Sequence, residues 1–399
     1  MPICSGRLCY FPTPTIAATR RRMCRCNAPR LFDFLQRWPP DQPRPEGYDI
    51  MSVNNKRVFY VKYLAHEIYA EILRSRPDVR LDRLENETAD QIAAPILAAA
   101  HAYQIGAARD EIAGHFHVDR ELLARAPNLL IVSSNGAGFD PVDVEACTAA
   151  GVLVLNQSGG NAHSVAEHVL GMLLTLSKRI IEADRALRRD ANINRNALMG
   201  TEAQGKTVGI VGIGNVGRRV AALCEGLLGM KVLAYDPYLN SAEIAVRGGE
   251  KVELDELLRR SDYVSVSCPL TPDNRGMIGA RQFALMQPHA YFITTARGFI
   301  HDESALVEAL RNRSIAGAGL DVWAKEPPPP DHPLLQFDNV LASPHTAGVT
   351  REARANMGRI AAEQILDALD GKRPPRIVNP EVWPRYAERF ARAFGFAPA

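Results

Sequence analysis

The stretch KTVGIVGIGNVGRRVAALCEGLLGMKVLAYD, residues 206–236, sets a glycine triplet between two apolar runs. Gly212, Gly214 and Gly217 have the spacing G-x-G-x-x-G, which is weak alone because glycine is common. Here the triplet follows an apolar run of strand length and opens an amphipathic segment of helical period. In that setting the first glycine permits a tight turn and the second lets backbone approach a pyrophosphate. The third lets helix and strand pack closely, and the helix N-terminus offers free N–H groups. The next strand ends on Asp236, nineteen residues past Gly217. A carboxylate there accepts hydrogen bonds from both ribose hydroxyls of an adenosine and repels a 2′-phosphate. The expected cofactor is NAD rather than NADP; a purely structural glycine turn is the competing reading.

The same strand–helix alternation runs outward in both directions. On the C-terminal side, YVSVSCP, AYFITTA, AGAGLDVW and NVLASPH read as strands, and LDELLRRS, GARQFALMQP and DESALVEALRNRS as helices, the last starting near Asp302 or Ser304. On the N-terminal side RVFYVKY, VRLDRL, HAYQIGA, NLLIVSS and VLVLN read as strands. HEIYAEILRS, ADQIAAPILAAA, DRELLARA and DPVDVEACTAAG read as the helices between them. Strands alternating with helices predict βαβ units and parallel sheets. Residues 162–187 read as one long connecting helix opened by Asn161, and REARANMGRIAAEQILDALDG as an amphipathic helix stopped at Gly371. The tail KRPPRIVNPEVWPRYAERF, rich in proline, reads as extended. The fold class is therefore α/β with two doubly wound parallel-sheet domains. Residues 51–156 and 348–399 form one, and residues 157–347 form the other, inserted between its two parts.

In an open parallel sheet, ligands bind beyond the carboxyl ends of the strands. Those ends carry Asp236, the run CPLT with Pro269 and Thr271, the run TARG from Thr295 and Ala296 through Arg297, then Asp321, then His345. All five ends are expected to face one cleft. An arginine directly after an apolar strand is costly unless paired, and its fork of donors suits a carboxylate beside a carbonyl. A salt bridge to another loop is the alternative for Arg297. Glu326, in WAKEPPPP, matters only if its loop folds back onto His345. His115 and His117 are placed on one face of a strand without a third ligand, so no metal site is expected.

Composition narrows the classes. The formal net charge of +2 argues neither for nor against a partner, while the lack of a basic face in the body of the chain argues against a nucleic-acid partner. No apolar run reaches the length of a membrane span, so no membrane partner is expected. Cys147, Cys224 and Cys268, an odd number without framework spacing, read as reduced thiols in the cytoplasm. Residues 1–50 differ in kind: the first thirty hold six arginines, four cysteines and no acidic residue. They are set aside from the fold as an upstream stretch before a start at Met51, a disordered tail or an organelle-targeting segment.

VGIGNVG with Asp236, CPLTPDNRGMI, TTARG, AGAGLDVWAKEP and SPHTAG, together with NGAGFDPVD and SVAEH, resemble the D-isomer-specific 2-hydroxyacid dehydrogenases. That group includes phosphoglycerate, glyoxylate/hydroxypyruvate and D-lactate dehydrogenases, and the resemblance covers roughly residues 57–385. It implies flavodoxin-like and Rossmann-like domains around a cleft, and a homodimer formed largely through the cofactor domain. It places the catalytic residues at Arg297, Glu326 and His345. Cofactor contacts fall on Gly212, Gly214, Asn215, Val216, Gly217, Asp236, Pro269, Thr271, Thr295, Ala296, Arg297, Asp321, His345 and Gly348. Substrate contacts fall on Arg297 and on the loop Asn135, Gly136, Ala137 and Gly138, whose backbone N–H groups would hold the substrate carboxylate. The implied reaction interconverts a small D-2-hydroxy acid and its 2-keto acid, of phosphoglycerate or hydroxypyruvate/glyoxylate type, with His345 as acid and base. An NADH-sensing corepressor-like binding protein and a formate dehydrogenase share this fold; the latter has glutamine where this chain has Glu326. Two departures bear on the substrate: the loop 106–122 is longer than the family's usual one, and nothing after Phe394 would form the regulatory domain of many phosphoglycerate dehydrogenases.

Overall fold

The computed structural model describes residues 56–189 and 192–399; the segment 1–50 set apart by its composition lies outside them. Strands β1 (Lys56–Val61), β2 (Val79–Leu84), β3 (Ala102–Ile105), β4 (Ile131–Ser134) and β5 (Leu153–Leu155) form one sheet in the order 2-1-3-4-5. Strands β6 (Thr207–Val211), β7 (Lys231–Tyr235), β8 (Glu250–Lys251), β9 (Tyr263–Val266), β10 (Tyr291–Thr294), β11 (Gly317–Leu320) and β12 (Val340–Ala342) form a second, in the order 12-11-10-9-6-7-8. Every strand pair is parallel. These are the flavodoxin-like and Rossmann orders, and the second reverses direction between β6 and β9, where such sheets open a ligand crevice.

The inner strands are buried because helices cover both faces. β3, β4, β9 and β11 are buried at every position. Glycine interrupts β11 for a packing reason. A Cβ at Gly319 would crowd Met172 at 3.0 Å, and one at Gly317 would strike the Asn339 carbonyl. The helix Ala162–Ser177 supplies Met172, Leu173 and Leu176 to the second sheet's core. The helix Arg351–Leu369 returns to the first sheet, where Ala361, Ile365 and Leu369 pack with Val58, Leu130 and Leu153.

Four expectations are corrected here. Residues 162–187 are two helices, not one, with Ile180–Arg189 starting after a break. Arg179 takes a left-handed backbone (φ 50) at the break, while its guanidinium holds Glu182 at 2.6 Å and the Ala197 carbonyl at 2.7 Å. Asn161 occupies the N-cap position without capping; its amide lies against Gly348 instead. The tail is not extended throughout, because Trp383–Phe394 is a helix. Pro384 sits in its first turn, where a missing N–H costs nothing, and Tyr386, Phe390 and Phe394 recur every four residues on its buried face. Each such buried aromatic side chain stabilises by about 1.5–3 kcal/mol. Finally, His115 lies in a short 3-10 turn and His117 just after it, not on a strand. Among the described residues no group of three acidic, histidine or cysteine side chains is arranged to hold a metal ion, and no helix is long and apolar enough to cross a membrane.

Candidate active site

The glycine loop closes the carboxyl end of β6. Gly212 has φ +89, and a Cβ there would lie 2.7–2.8 Å from Cys268 at the end of β9. Gly217 opens the helix Gly217–Leu228 against the Gly212 carbonyl, again too close for any side chain. A Cβ at Gly214 would meet nothing within 4 Å, so this is the face left open for an approaching group. Val216 precedes the helix without a side-chain cap; the Arg218 and Arg219 N–H groups bond the Gly214 (3.1 Å) and Val216 (2.8 Å) carbonyls, and among the described residues the Gly217 N–H has no acceptor. Asn215 ties the loop to the crossover between the sheets through Ser158 Oγ at 3.0 Å. Asp236, at the end of β7, accepts from the amides of Ile213 (3.3 Å) and Tyr238 (3.1 Å). Pro269 and Thr271 sit beyond β9, braced by Asn274. Thr295, beyond β10, keeps a buried hydroxyl with no protein partner. An open glycine cradle, a free amide at the helix start, a carboxylate at the β7 end and an orphaned hydroxyl together fit a dinucleotide.

The WAKEPPPP loop does fold back. His345 Nδ1 lies 2.7 Å from Glu326 Oε2, while Glu326 Oε1 accepts the Trp323 N–H at 3.0 Å. An ionised carboxylate only accepts, so Nδ1 carries the hydrogen and Nε2 is left as the outward nitrogen. The Glu326 bond raises the His345 pKa above the ordinary histidine value, against burial and the nearby Arg297 charge. Burial opposes ionisation of Glu326, but the bond and charge of His345, with Trp323 and Arg297, hold its pKa below the ordinary carboxylate value. Each partner therefore favours the charged form of the other.

Arg297 reaches from β10 across to the first sheet. Its Nη1 donates to the Ala296 carbonyl at 2.8 Å, and its Nε stands 3.6 Å from Asp140. That long contact is the salt bridge to another loop weighed above, and it leaves most donors of the fork uncommitted. Gly138 matters to this placement, since any Cβ there would collide with the guanidinium.

Two expectations about ligand contacts change. Asp321 does not face the cleft: it is fully buried, and its carboxylate accepts from Ser343 Oγ (2.6 Å), Thr346 N (2.8 Å) and Ala347 N (2.9 Å). Its carbonyl takes the His345 N–H at 2.7 Å. It anchors the His345 loop. In the loop Asn135 to Gly138, the Asn135 N–H is spent on the Ile105 carbonyl (2.8 Å) and the Gly136 N–H on Gln157 Oε1 (2.6 Å). Among the described residues only the Ala137 and Gly138 amides of this loop have no acceptor. Gly348 packs against Asn161 at the second crossover between the sheets.

Parallel sheets of these two orders, a dinucleotide cradle and a carboxylate-held histidine define a two-sheet dinucleotide-binding scaffold. The chain belongs to the D-isomer-specific 2-hydroxyacid dehydrogenase family. Residues 170–347 match its NAD-binding domain, described as "D-isomer specific 2-hydroxyacid dehydrogenase, NAD binding domain". Over 262 residues the chain is 42% identical to a D-3-phosphoglycerate dehydrogenase of Archaeoglobus fulgidus, covering 66% of this chain and 49% of that protein. It is 40% identical over 269 residues to a glyoxylate reductase of Thermofilum pendens, covering 66% and 79%. The solved structure of an Aquifex aeolicus D-lactate dehydrogenase, complexed with NAD and lactic acid, matches with a TM-score of 0.69 at 26% identity, covering 80% and 98%. The chain thus spans about half the length of the phosphoglycerate dehydrogenases it matches.

Proposed function

We propose that the chain is an NAD-dependent dehydrogenase that interconverts a D-2-hydroxy acid and its 2-keto acid. The observation that carries this reading is the 2.7 Å His345–Glu326 pair, set with Arg297 on the same sheet edge as the glycine cradle. Residues 157–347 hold the cofactor, while residues 51–156 and 348–399 close over the substrate. The cofactor is held by the loop Gly212–Gly217, with Asp236 at the adenosine ribose, which favours NAD over NADP. Bound there, NAD supplies the hydride acceptor and NADH the donor at the nicotinamide.

The protein's part is to bind, orient and move a proton. Arg297 grips the substrate carboxylate and the C2 oxygen, opposing the charge that develops on that oxygen. The Ala137 and Gly138 amides take the carboxylate from the other side. His345 accepts the C2 hydroxyl proton at Nε2 during oxidation and returns it during reduction. Glu326 fixes the ring through Nδ1 and stabilises its charged form.

Glyoxylate or a phosphorylated three-carbon acid is the substrate type that the relatives' names support, and hydroxypyruvate is the one the motif resemblance adds. The protein acts in the cytoplasm as a homodimer, with no nucleic-acid or membrane partner. The dimer reading rests on the helix Ile180–Arg189, which buries none of its residues in the protomer and exposes Ile180 and Leu187. The test is NADH oxidation against glyoxylate, hydroxypyruvate, phosphohydroxypyruvate and pyruvate, with NADPH alongside. Tight NADH binding without turnover of any 2-keto acid overturns the reading in favour of a cofactor-sensing binding protein.

A further inference from the structure

The first sheet carries a further edge segment that is not one of its five parallel strands. Residues 375–378 run antiparallel beside β5. Leu155 and Ile377 form a bridge, the Val378 N–H donates to the Val154 carbonyl at 2.8 Å, and the Asn156 N–H donates to the Arg376 carbonyl at 3.4 Å. An antiparallel segment enters at the carboxyl end of its neighbour. Arg376 therefore stands just beyond the carboxyl end of β5, on the side of the sheet where ligands bind. It is half-buried, and its Nε donates to the Ser158 carbonyl at 2.9 Å. Among the described residues its two Nη groups have no acceptor and no carboxylate is paired with it.

Ser158 joins this arginine to the second sheet. Its carbonyl accepts Arg376, while its Oγ accepts Asn215 Nδ2 of the glycine loop at 3.0 Å. Asn215 and Arg376 line one open pocket of about 600 Å³, together with Ser158, Asn156 and Phe139. Among the described residues that line it, Arg376 carries the only formal charge, so the pocket suits an anion. Neither Arg297 nor His345 lines it, which separates it from the reacting end of the cleft. The glycine loop itself lacks a cation: Gly212 to Gly217 holds no basic residue, and Arg218 is turned to Asn215 Oδ1 at 2.9 Å. Backbone amides meet a phosphate with partial charges only. A guanidinium fork meets it with a full charge and two parallel bonds.

We propose that Arg376 is a cofactor-binding residue supplied by the first domain, its guanidinium answering the pyrophosphate of the dinucleotide seated on the glycine loop. The proposal deepens the dehydrogenase reading and rests on its cofactor site. The probes are NADH, followed by fluorescence, and ADP and adenosine, titrated by calorimetry; ADP carries the pyrophosphate and adenosine does not. The wild type is expected to bind ADP more tightly than adenosine. Arg376→Gln is expected to weaken NADH and ADP about tenfold, as for one charge-assisted bond at a half-buried site, and to leave adenosine within about twofold. Raising the ionic strength should narrow the gap between variant and wild type. Arg376→Lys keeps the charge without the fork. It should lose a few-fold toward ADP alone, and it serves if the first variant does not fold. Equal losses for ADP and adenosine would reduce Arg376 to a brace of the crossover and overturn the proposal, as would ADP affinity unchanged in both variants. Inorganic phosphate that binds through Arg376 without competing with NADH would assign the pocket to a separate anion and overturn it too. Turnover is read separately. Arg376-dependent ADP binding without reduction of any 2-keto acid upholds this residue's role and sinks the dehydrogenase, and the converse result does the reverse.

Discussion

Replacing Glu326 with glutamine removes a charge and almost nothing else. The carboxamide keeps the side-chain length, its oxygen still accepts from either Trp323 N–H or His345 Nδ1, and the loop keeps its backbone ties. What disappears is the anion 2.7 Å from the imidazole. A hydrogen bond between charged partners contributes about 1.5–3 kcal/mol and a neutral one about 0.5–1.5 kcal/mol. The His345 side chain is 35% exposed, so solvent screening places the loss toward the low end, near ~1.4 kcal/mol, which is a factor of about ten. The direction follows from the surroundings: burial and Arg297 both oppose protonation of His345, and Glu326 is what overcomes them. Without it the His345 pKa falls. Reduction requires the protonated ring, so its rate should drop by up to roughly tenfold at pH above the wild-type midpoint, with the deficit closing as pH is lowered. Oxidation should begin its rise at lower pH for the same reason. The overall equilibrium ties the two directions together at any one pH, so the midpoint of each profile is the discriminating quantity. The assay is kcat/KM against pH in both directions. A variant whose profiles keep the wild-type midpoints and are scaled down equally at every pH would refute the reasoning and reduce Glu326 to a loop brace.

Three further outcomes are expected. His345→Asn should cost about 10²–10⁴-fold in kcat, with NADH affinity, read by fluorescence, within a few-fold of wild type; undiminished turnover would remove His345 from the chemistry. Asp236→Ser should raise NADPH use relative to NADH at least tenfold in paired kcat/KM measurements, and an unchanged ratio would show that Asp236 does not meet the ribose. His301 is buried against Phe292 with both ring nitrogens unpartnered, and burial lowers its pKa to about 4. Below the ordinary histidine pKa the unfolded chain takes up a proton that the folded one refuses, so stability falls as pH drops toward that value. His301→Leu should raise the urea midpoint and flatten its dependence between pH 6.5 and 4.5; a variant that unfolds more easily at pH 5 would contradict the burial argument.

The parts of the fold written in local pattern were legible: apolar runs of strand length, amphipathic intervals and a glycine loop between them. What was hidden depends on tertiary context. Pro384 reads as a breaker, yet in a first helical turn it breaks nothing. Arg179 gives no sign that it turns left-handed, because the reason lies in Glu182 and Ala197, which the fold brings to it. The candidate site divides along the same line. Arg297, Asp236 and His345 could be collected as strand ends from the period alone. That Gln157 consumes the Gly136 amide could not, since the two meet only through neighbouring strand ends.

Asp321 shows why a strand-end carboxylate need not serve a ligand. His345 holds a left-handed backbone, φ 55, without being glycine. Such a residue costs on the order of 1–3 kcal/mol and persists only where its surroundings over-determine it. Here Asp321 does so, binding the residues on both sides of His345 through its carboxylate and His345 itself through its carbonyl. Charge-assisted bonds of about 1.5–3 kcal/mol each outweigh that strain. His168 and Ser164, on the helix Ala162–Ser177, add bonds to Ser343 (3.0 Å) and to the Ala347 carbonyl (2.6 Å). The histidine is thus aimed by its own backbone, held from beneath by a buried anion, before Glu326 fixes the ring. The direction in which the His345 ring points is therefore a property of the loop, and Asp321, which no ligand needs to touch, is the residue that sets it.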